Sequence, residues 1–162
     1  MEQKKKRNFI YLAGNISQDD RTYEWREKFT ELMSDEPDVV IVNPCRNRFN
    51  QSMRKFGSNG MEFLLEAVSR AQGVLKPKDY QMISMCNLMV ANLELVTPDK
   101  PLIGTIFELD WAKTIFHMPV IAITGGVTNA YTKHSWISDC CSAKVDTVEQ
   151  AVKMVKDFFL EY

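Results

Sequence analysis

The feature that most constrains this chain is the alternation of short β-type apolar runs with longer amphipathic stretches. "NFIYLAG" (Asn8 to Gly14) is a short run stopped by glycine. "DVVIVNP" (Asp38 to Pro44) is β-branched and ends in Asn-Pro, which terminates a strand. "LMVANLEL" (Leu88 to Leu95) and "MPVIAIT" (Met118 to Thr124) are of the same kind. Between them, "EWREKFTELMSD" places Trp25, Phe29, Leu32 and Met33 at helical spacing. Four strands alternating with helices predict an α/β fold: a three-layer sandwich, Rossmann-like or flavodoxin-like, with a mostly parallel sheet flanked by helices. No repeat or linker interrupts the pattern, so residues 1–162 read as one domain.

The other predicted helices are "MEFLLEAVSRAQGVL", "PKDYQMISMCN" after Pro77, "TIFELDWAKTIF", and a closing "TVEQAVKMVKDFFLEY". In the last of these, Thr147 and Gln150 have capping-box spacing. From Cys45 to Gly60 the pattern dissolves into polar residues ending in Gly57-Ser58-Asn59-Gly60, which reads as a long loop.

Composition excludes several classes of protein. The net charge is −1, and the one basic run, Lys4-Lys5-Lys6-Arg7, is a solvated lead-in to the first strand, so no polymeric nucleic-acid partner is expected. No apolar run approaches the ~18 residues of a membrane span, and "FIYLAG" is too short for a secretory core. Cys45, Cys86, Cys140 and Cys141 match no zinc spacing and read as thiols in a reducing cytoplasm. With only His117 and His134 besides, no metal site and no cofactor is expected.

Ligands of such sheets bind beyond the carboxyl ends of the strands. Tyr11, Gly14 and Asn15 close the first strand, with Ser17 just after. Asn43-Pro44 close the second, followed by Arg46 and Arg48. Asn92 closes the third, which leads through Pro98-Asp99-Lys100-Pro101 to the helix holding Glu108. Thr124-Gly125-Gly126 close the fourth. Glu108 is the misfit, a carboxylate among Ile106, Phe107, Leu109 and Trp111. It is either a solvated early-helix acid favoured by the helix dipole or a working group at the sheet's mouth. Asp79 can face the same cleft from the start of its helix. Neither G-x-G-x-x-G nor G-x-x-x-x-G-K-[ST] occurs, which argues against a dinucleotide enzyme and a P-loop kinase.

Four segments in order carry a resemblance: "IYLAGNIS" with "EWREKF", "KDYQMISMCNLMVANL", "IGTIFELDWAKTIFHMPVIAI", and "NAYTKHSWI" with "KVDTVEQAVKMV". They resemble the motifs of the nucleoside 2-deoxyribosyltransferase family and its related 2′-deoxynucleoside 5′-monophosphate N-glycosidases, over nearly the whole chain except Cys45 to Leu75. The resemblance implies that Glu108 is the nucleophile attacking C1′, Asp79 the proton donor to the leaving base and Tyr11 the group that orients the nucleophile. Gly14, Asn15, Ser17, Asn92, Leu102 and Gly104 fall at substrate-binding positions. Asn129 and His134 fall where a neighbouring subunit completes the site, which implies a homo-oligomer with shared active sites. The implied partners are a deoxynucleoside or deoxynucleotide and a free nucleobase.

The implied chemistry is that of a retaining glycosidase, with one carboxylate trapping an oxocarbenium-like C1′ and one acid protonating the leaving group. It calls for a nucleophile of low or ordinary pKa and an acid of raised pKa. There are departures. Leu102 stands where the family has Ser or Asp, Asn87 replaces a second aspartate, and Asn15 replaces Pro or Ser. A 5′-phosphate would then fall to Ser17, the Gly14-Asn15 backbone, or Arg46 and Arg48. Three readings stand at this point: deoxyribosyl transfer between bases, hydrolysis of deoxynucleoside 5′-monophosphates by the same residues, or a non-catalytic nucleotide-binding protein.

Overall fold

The β-branched runs become the strands of one five-stranded sheet in a computed structural model that describes residues 7–17, 19–56, 61–96 and 101–160. The strands are β1 (Asn8–Gly14), β2 (Val39–Val42), β3 (Leu88–Asn92), β4 (Val120–Ile123) and β5 (Ala143–Val145). All pairings are parallel and the order is β2-β1-β3-β4-β5. The helices are α1 (Arg21–Leu32), α2 (Arg48–Phe56), α3 (Met61–Ser84), α4 (Ile103–Asp110), α5 (Ala130–Lys133), α6 (Ser135–Cys140) and α7 (Val148–Phe159). A π-helical turn, Trp111–Ile115, continues α4. Among the described residues no helix is long and apolar enough to cross a membrane.

Successive strand residues point to opposite faces, so each strand feeds two cores. Tyr11, Met89, Ala91 and Val120 pack with Ile83 of α3 and Leu109 of α4 on one face. Ile10, Leu12, Val90 and Ile121 pack with Trp25 and Phe29 of α1 and Val152 and Val155 of α7 on the other. Each fully buried aliphatic side chain contributes about 1.5–3 kcal/mol, so the two cores supply most of the driving force. The carboxyl ends of β1 and β3 lie side by side where the strand order reverses, the crevice that open α/β sheets use for ligands.

The sheet is wholly parallel, and it has a fifth strand that the sequence reading missed. β5 is three residues, Ala-Lys-Val, at an edge and only half-buried, so it shows no apolar run. The loop expected from Cys45 to Gly60 is instead α2 over Arg48–Phe56. Its start is an Asx cap: the Asn47 Oδ1 accepts the Asn50 N–H at 2.9 Å. The two helices expected on either side of Pro77 are one helix, α3. Pro77 and Gly73 are both exposed, so the proline forfeits only its hydrogen bond to a carbonyl that water can reach. Asp79 therefore lies near the end of a helix and not at its start. Lys4-Lys5-Lys6, Gly57-Ser58-Asn59-Gly60 and Pro98-Asp99-Lys100 lie outside the described residues.

Candidate functional site

The site begins with β1. Tyr11 is fully buried on the α3/α4 face, and its hydroxyl donates a 2.7 Å hydrogen bond to Glu108 Oε1. Glu108 is 6% exposed. It sits on the inner face of α4 with Thr105 and Leu109, the spacing that a 3.6-residue helix gives to one stripe. Ile106 and Phe107, its apolar neighbours in sequence, turn outward. The apolar stretch that made Glu108 look misplaced is therefore a helix with two unlike faces.

Burial pushes the Glu108 carboxyl up to about 7, since desolvation disfavours its charge. The Tyr11 hydrogen bond works against that rise, the nearby Asp79 charge adds to it, and Arg26 and Lys78 oppose it. The Tyr11 phenol is raised well above its ordinary value, first by burial and then by the charges of Glu108 and Asp79. Asp79, on α3, is ion-paired with Lys78, Nζ to Oδ1 at 2.7 Å. That same Oδ1 is buried and has no aligned hydrogen-bond donor, so the pair is one of charge. Tyr11, Asp79 and Glu108 thus form one electrostatically coupled cluster. The low or ordinary nucleophile pKa that the resemblance implies is not what burial produces at Glu108.

The residues at the strand ends have structural employment as well. Gly14 has φ +148°, and a Cβ there would stand 3.2 Å from the Asn92 carbonyl oxygen, so β1 and β3 meet closely only because the side chain is absent. Asn15 gives its carbonyl to Arg26 at 3.2 Å. Ser17 is buried, shares a 2.9 Å hydrogen bond with Thr22 and accepts the Asp19 N–H. Asn92 ends β3 by accepting the Glu94 and Leu95 N–H groups on Oδ1. Asn15 and Ser17 line a cavity of about 240 Å³ together with Arg21, Thr22, Glu94 and Val127.

Leu102 turns its side chain into the core at 3% exposure and gives its N–H to the Tyr131 hydroxyl. Gly104, in the first turn of α4, is exposed, with nothing within 4 Å of where a Cβ would stand. Asn129 caps α5: its Oδ1 accepts the Tyr131 and Thr132 N–H groups while Nδ2 donates to the Leu93 carbonyl. Those bonds occupy its side chain within its own chain. His134 is exposed, edge-on to Trp136. Arg46 lines a separate cavity of about 480 Å³ with Tyr23, Cys45 and Arg54, and Arg48 is an exposed first residue of α2.

Sequence reasoning missed two charges in the cluster. Lys78 was visible only as the neighbour of Asp79. Arg26 stands within "EWREKF", a segment that carries the resemblance, with no role of its own assigned by it. Its signal is position, because it lies among Thr22, Tyr23, Trp25 and Phe29 on the inner face of α1.

The raised Glu108 carboxyl has a consequence for stability. A folded pKa of about 7 against an ordinary 4.5 means that the folded state holds a proton the unfolded chain gives up. The associated stability is present below pH ~4.5 and is lost as pH rises through ~7. Glu108→Gln, which keeps the shape without the charge, is expected to stabilise the protein increasingly between pH 5 and 8, by of order 3 kcal/mol. Urea unfolding of both proteins across that range checks this, and a difference that does not change with pH would refute it.

Comparison with known proteins adds the fold's relatives. No family model matches this chain, and no curated protein does. Solved structures do match it, the following three among them. The 2-desoxiribosyltransferase from Leishmania mexicana superposes with a TM-score of 0.64 at 18% identity, covering 94% of this chain and 99% of that one. The 2-deoxyribosyltransferase from the psychrotolerant Bacillus psychrosaccharolyticus gives 0.55 at 18% identity, over 89% and 90%. A conserved protein from Enterococcus faecalis gives 0.57 at 16% identity, over 93% and 98%. At these identities the likeness is one of fold: over nearly its whole length the chain has the architecture of the 2-deoxyribosyltransferase structures.

Proposed function

We propose that this protein is an enzyme that cleaves the N-glycosidic bond of 2′-deoxynucleosides and transfers the 2-deoxyribosyl group to another nucleobase through a covalent ester with Glu108. The observation that carries the reading is the Tyr11–Glu108 pair, a buried carboxylate held by a phenol at the carboxyl edge of the sheet with a second carboxyl, Asp79, coupled to it. The architecture of the 2-deoxyribosyltransferase structures supports it.

In this reading the ionised Glu108 attacks C1′ as the C1′–N bond breaks. The bond's electron pair leaves with the base, which takes a proton from Asp79. A second base then attacks C1′, Glu108 departs as carboxylate, and Asp79 recovers the proton from the incoming nitrogen. The step therefore needs an ionised Glu108 and a proton delivered to the leaving base through Asp79. Tyr11 holds one Glu108 oxygen, which leaves the other to react. Gly14, Asn15 and Ser17 would line the sugar or base side of the cleft. The apolar, buried Leu102 offers a 5′-phosphate no partner, so the deoxynucleoside is favoured over its monophosphate.

Assembly of copies belongs to the same reading. The outer side of α4 and α6 forms an apolar groove of about 370 Å³ that includes Ile103, Ile106, Phe107 and Trp136, with Trp136 81% exposed. A homo-oligomer would cover it.

Two measurements test the reading. The first is chromatography of the protein with each 2′-deoxynucleoside and its 5′-monophosphate, with and without a second base. It is expected to show a new deoxynucleoside only when an acceptor base is present. Glu108→Ala should lower that rate by ~1,000-fold or more. Because the reacting carboxyl must be ionised, kcat/KM should fall about tenfold per unit as pH drops below ~7. Base released from monophosphates without acceptor would indicate the hydrolase instead, turnover that survives Glu108→Ala would refute Glu108 as the nucleophile, and absent turnover would favour a binding protein. The second is sedimentation velocity. A species larger than one chain is expected, dissociating in Trp136→Lys; a monomer at all concentrations would exclude shared sites.

A further inference from the structure

Among the described residues Arg26 is one of the largest fully buried side chains and carries a charge, at 0% exposure. It enters from α1 and spends its guanidinium on backbone carbonyls. Nε donates to Leu12 at 3.4 Å, Nη2 to Gly14 at 3.0 Å, and Nη1 to Asn15 at 3.2 Å and to Thr22 at 2.5 Å. The reason lies in the sheet register. The β1·β2 ladder ends at Tyr11↔Val42, whereas β1 runs on to Gly14 beside β3. Past Tyr11 the β1 carbonyls have no β2 partner, and the guanidinium fork takes them. The same residue lies over the Trp25 ring, 4.6 Å from its centroid.

Among the described residues no carboxylate touches Arg26. A cation taken out of water without a contacting anion is costly, and a neutral donor could have served the carbonyls. Burial raises Cys45, Tyr11 and Tyr23 and keeps them neutral, so the anion that favours its ionised form is the Glu108 carboxylate. The groups acting on Glu108 from the packed elements are Tyr11 on β1, Asp79 and Lys78 on α3, and Arg26 on α1, with Cys45 after β2 nearby. Of the two cations, Lys78 is already paired with Asp79.

We propose that Arg26 is a positioning residue for the Tyr11–Glu108 pair, fixing the Leu12–Asn15 end of β1 with its fork and supplying the buried positive charge that offsets the Glu108 carboxylate. It acts through β1 and through its field and touches no substrate. This inference rests on the proposed role of Glu108.

The test is the titration of Glu108 itself, followed by carboxyl 13C NMR of glutamate-labelled protein and assigned with Glu108→Gln. It does not need turnover. An inactive wild type would therefore fail the proposed activity and leave this inference still testable. In Arg26→Met, the Glu108 midpoint should move up by about one pH unit. In Arg26→Lys, which keeps the charge and loses the fork, the midpoint should stay near wild type while amide hydrogen exchange over Leu12–Asn15 quickens. A folded Arg26→Met with the wild-type midpoint would overturn the proposal. Where Arg26→Met does not fold, Arg26→Lys decides. A retained midpoint with faster exchange there supports the proposal, and a shifted midpoint or unchanged exchange overturns it.

Discussion

A phenol and a carboxylate 97 residues apart in the chain meet at 2.7 Å inside the protein. The rest of the arrangement depends on that contact. Tyr11 is on β1, between β2 and β3, and Glu108 on the helix that follows β3, so the bond exists only if β1 and β3 are in register and α4 is seated. Gly14 permits the register by letting the two strand ends approach. Leu109 and Leu102 seat the helix by burying its inner stripe. The fold thus does for one carboxylate what solution chemistry does not: it removes the carboxylate from water and fixes which oxygen is engaged.

Removing a carboxylate from water has an electrostatic cost, and the surroundings of Glu108 divide it. Desolvation and the Asp79 charge favour the protonated acid, while the Tyr11 hydroxyl, Arg26 and Lys78 favour the anion. The outcome, near neutrality, would suit the proposed nucleophile, an anion in attack and a tolerable leaving group in displacement. A nucleophile with a low pKa is the simpler expectation from a two-carboxylate scheme. The packing replaces it with a group poised at working pH.

The four long strands were legible because each is an unbroken apolar run of β-type residues. β5 was not, because three half-buried residues at an edge carry no pattern. α2 was hidden by its polar surface and by a cap residue, Asn47, that reads equally well as loop. Pro77 was taken for a boundary, yet an exposed proline can sit within a helix when the carbonyl it strands faces water. At the site, Glu108 announced itself as a charge in an apolar stretch, and Tyr11 and Asp79 by motif position. Leu102 and His134 have the right motif positions, but the one is buried in the core and the other exposed beside Trp136. Arg26 escaped notice because sequence shows helical spacing and not what an inward-pointing arginine finds when it arrives.

The central claim is that Glu108 forms a bond to the sugar. Peptide mass mapping after acid quench, with a 2′-deoxynucleoside and no acceptor base, reads that bond directly. One deoxyribosyl mass on the peptide containing Glu108, discharged by adding a free base and absent in Glu108→Gln, is the predicted result. Base release without any protein-bound sugar, or an adduct on another residue, would contradict the account.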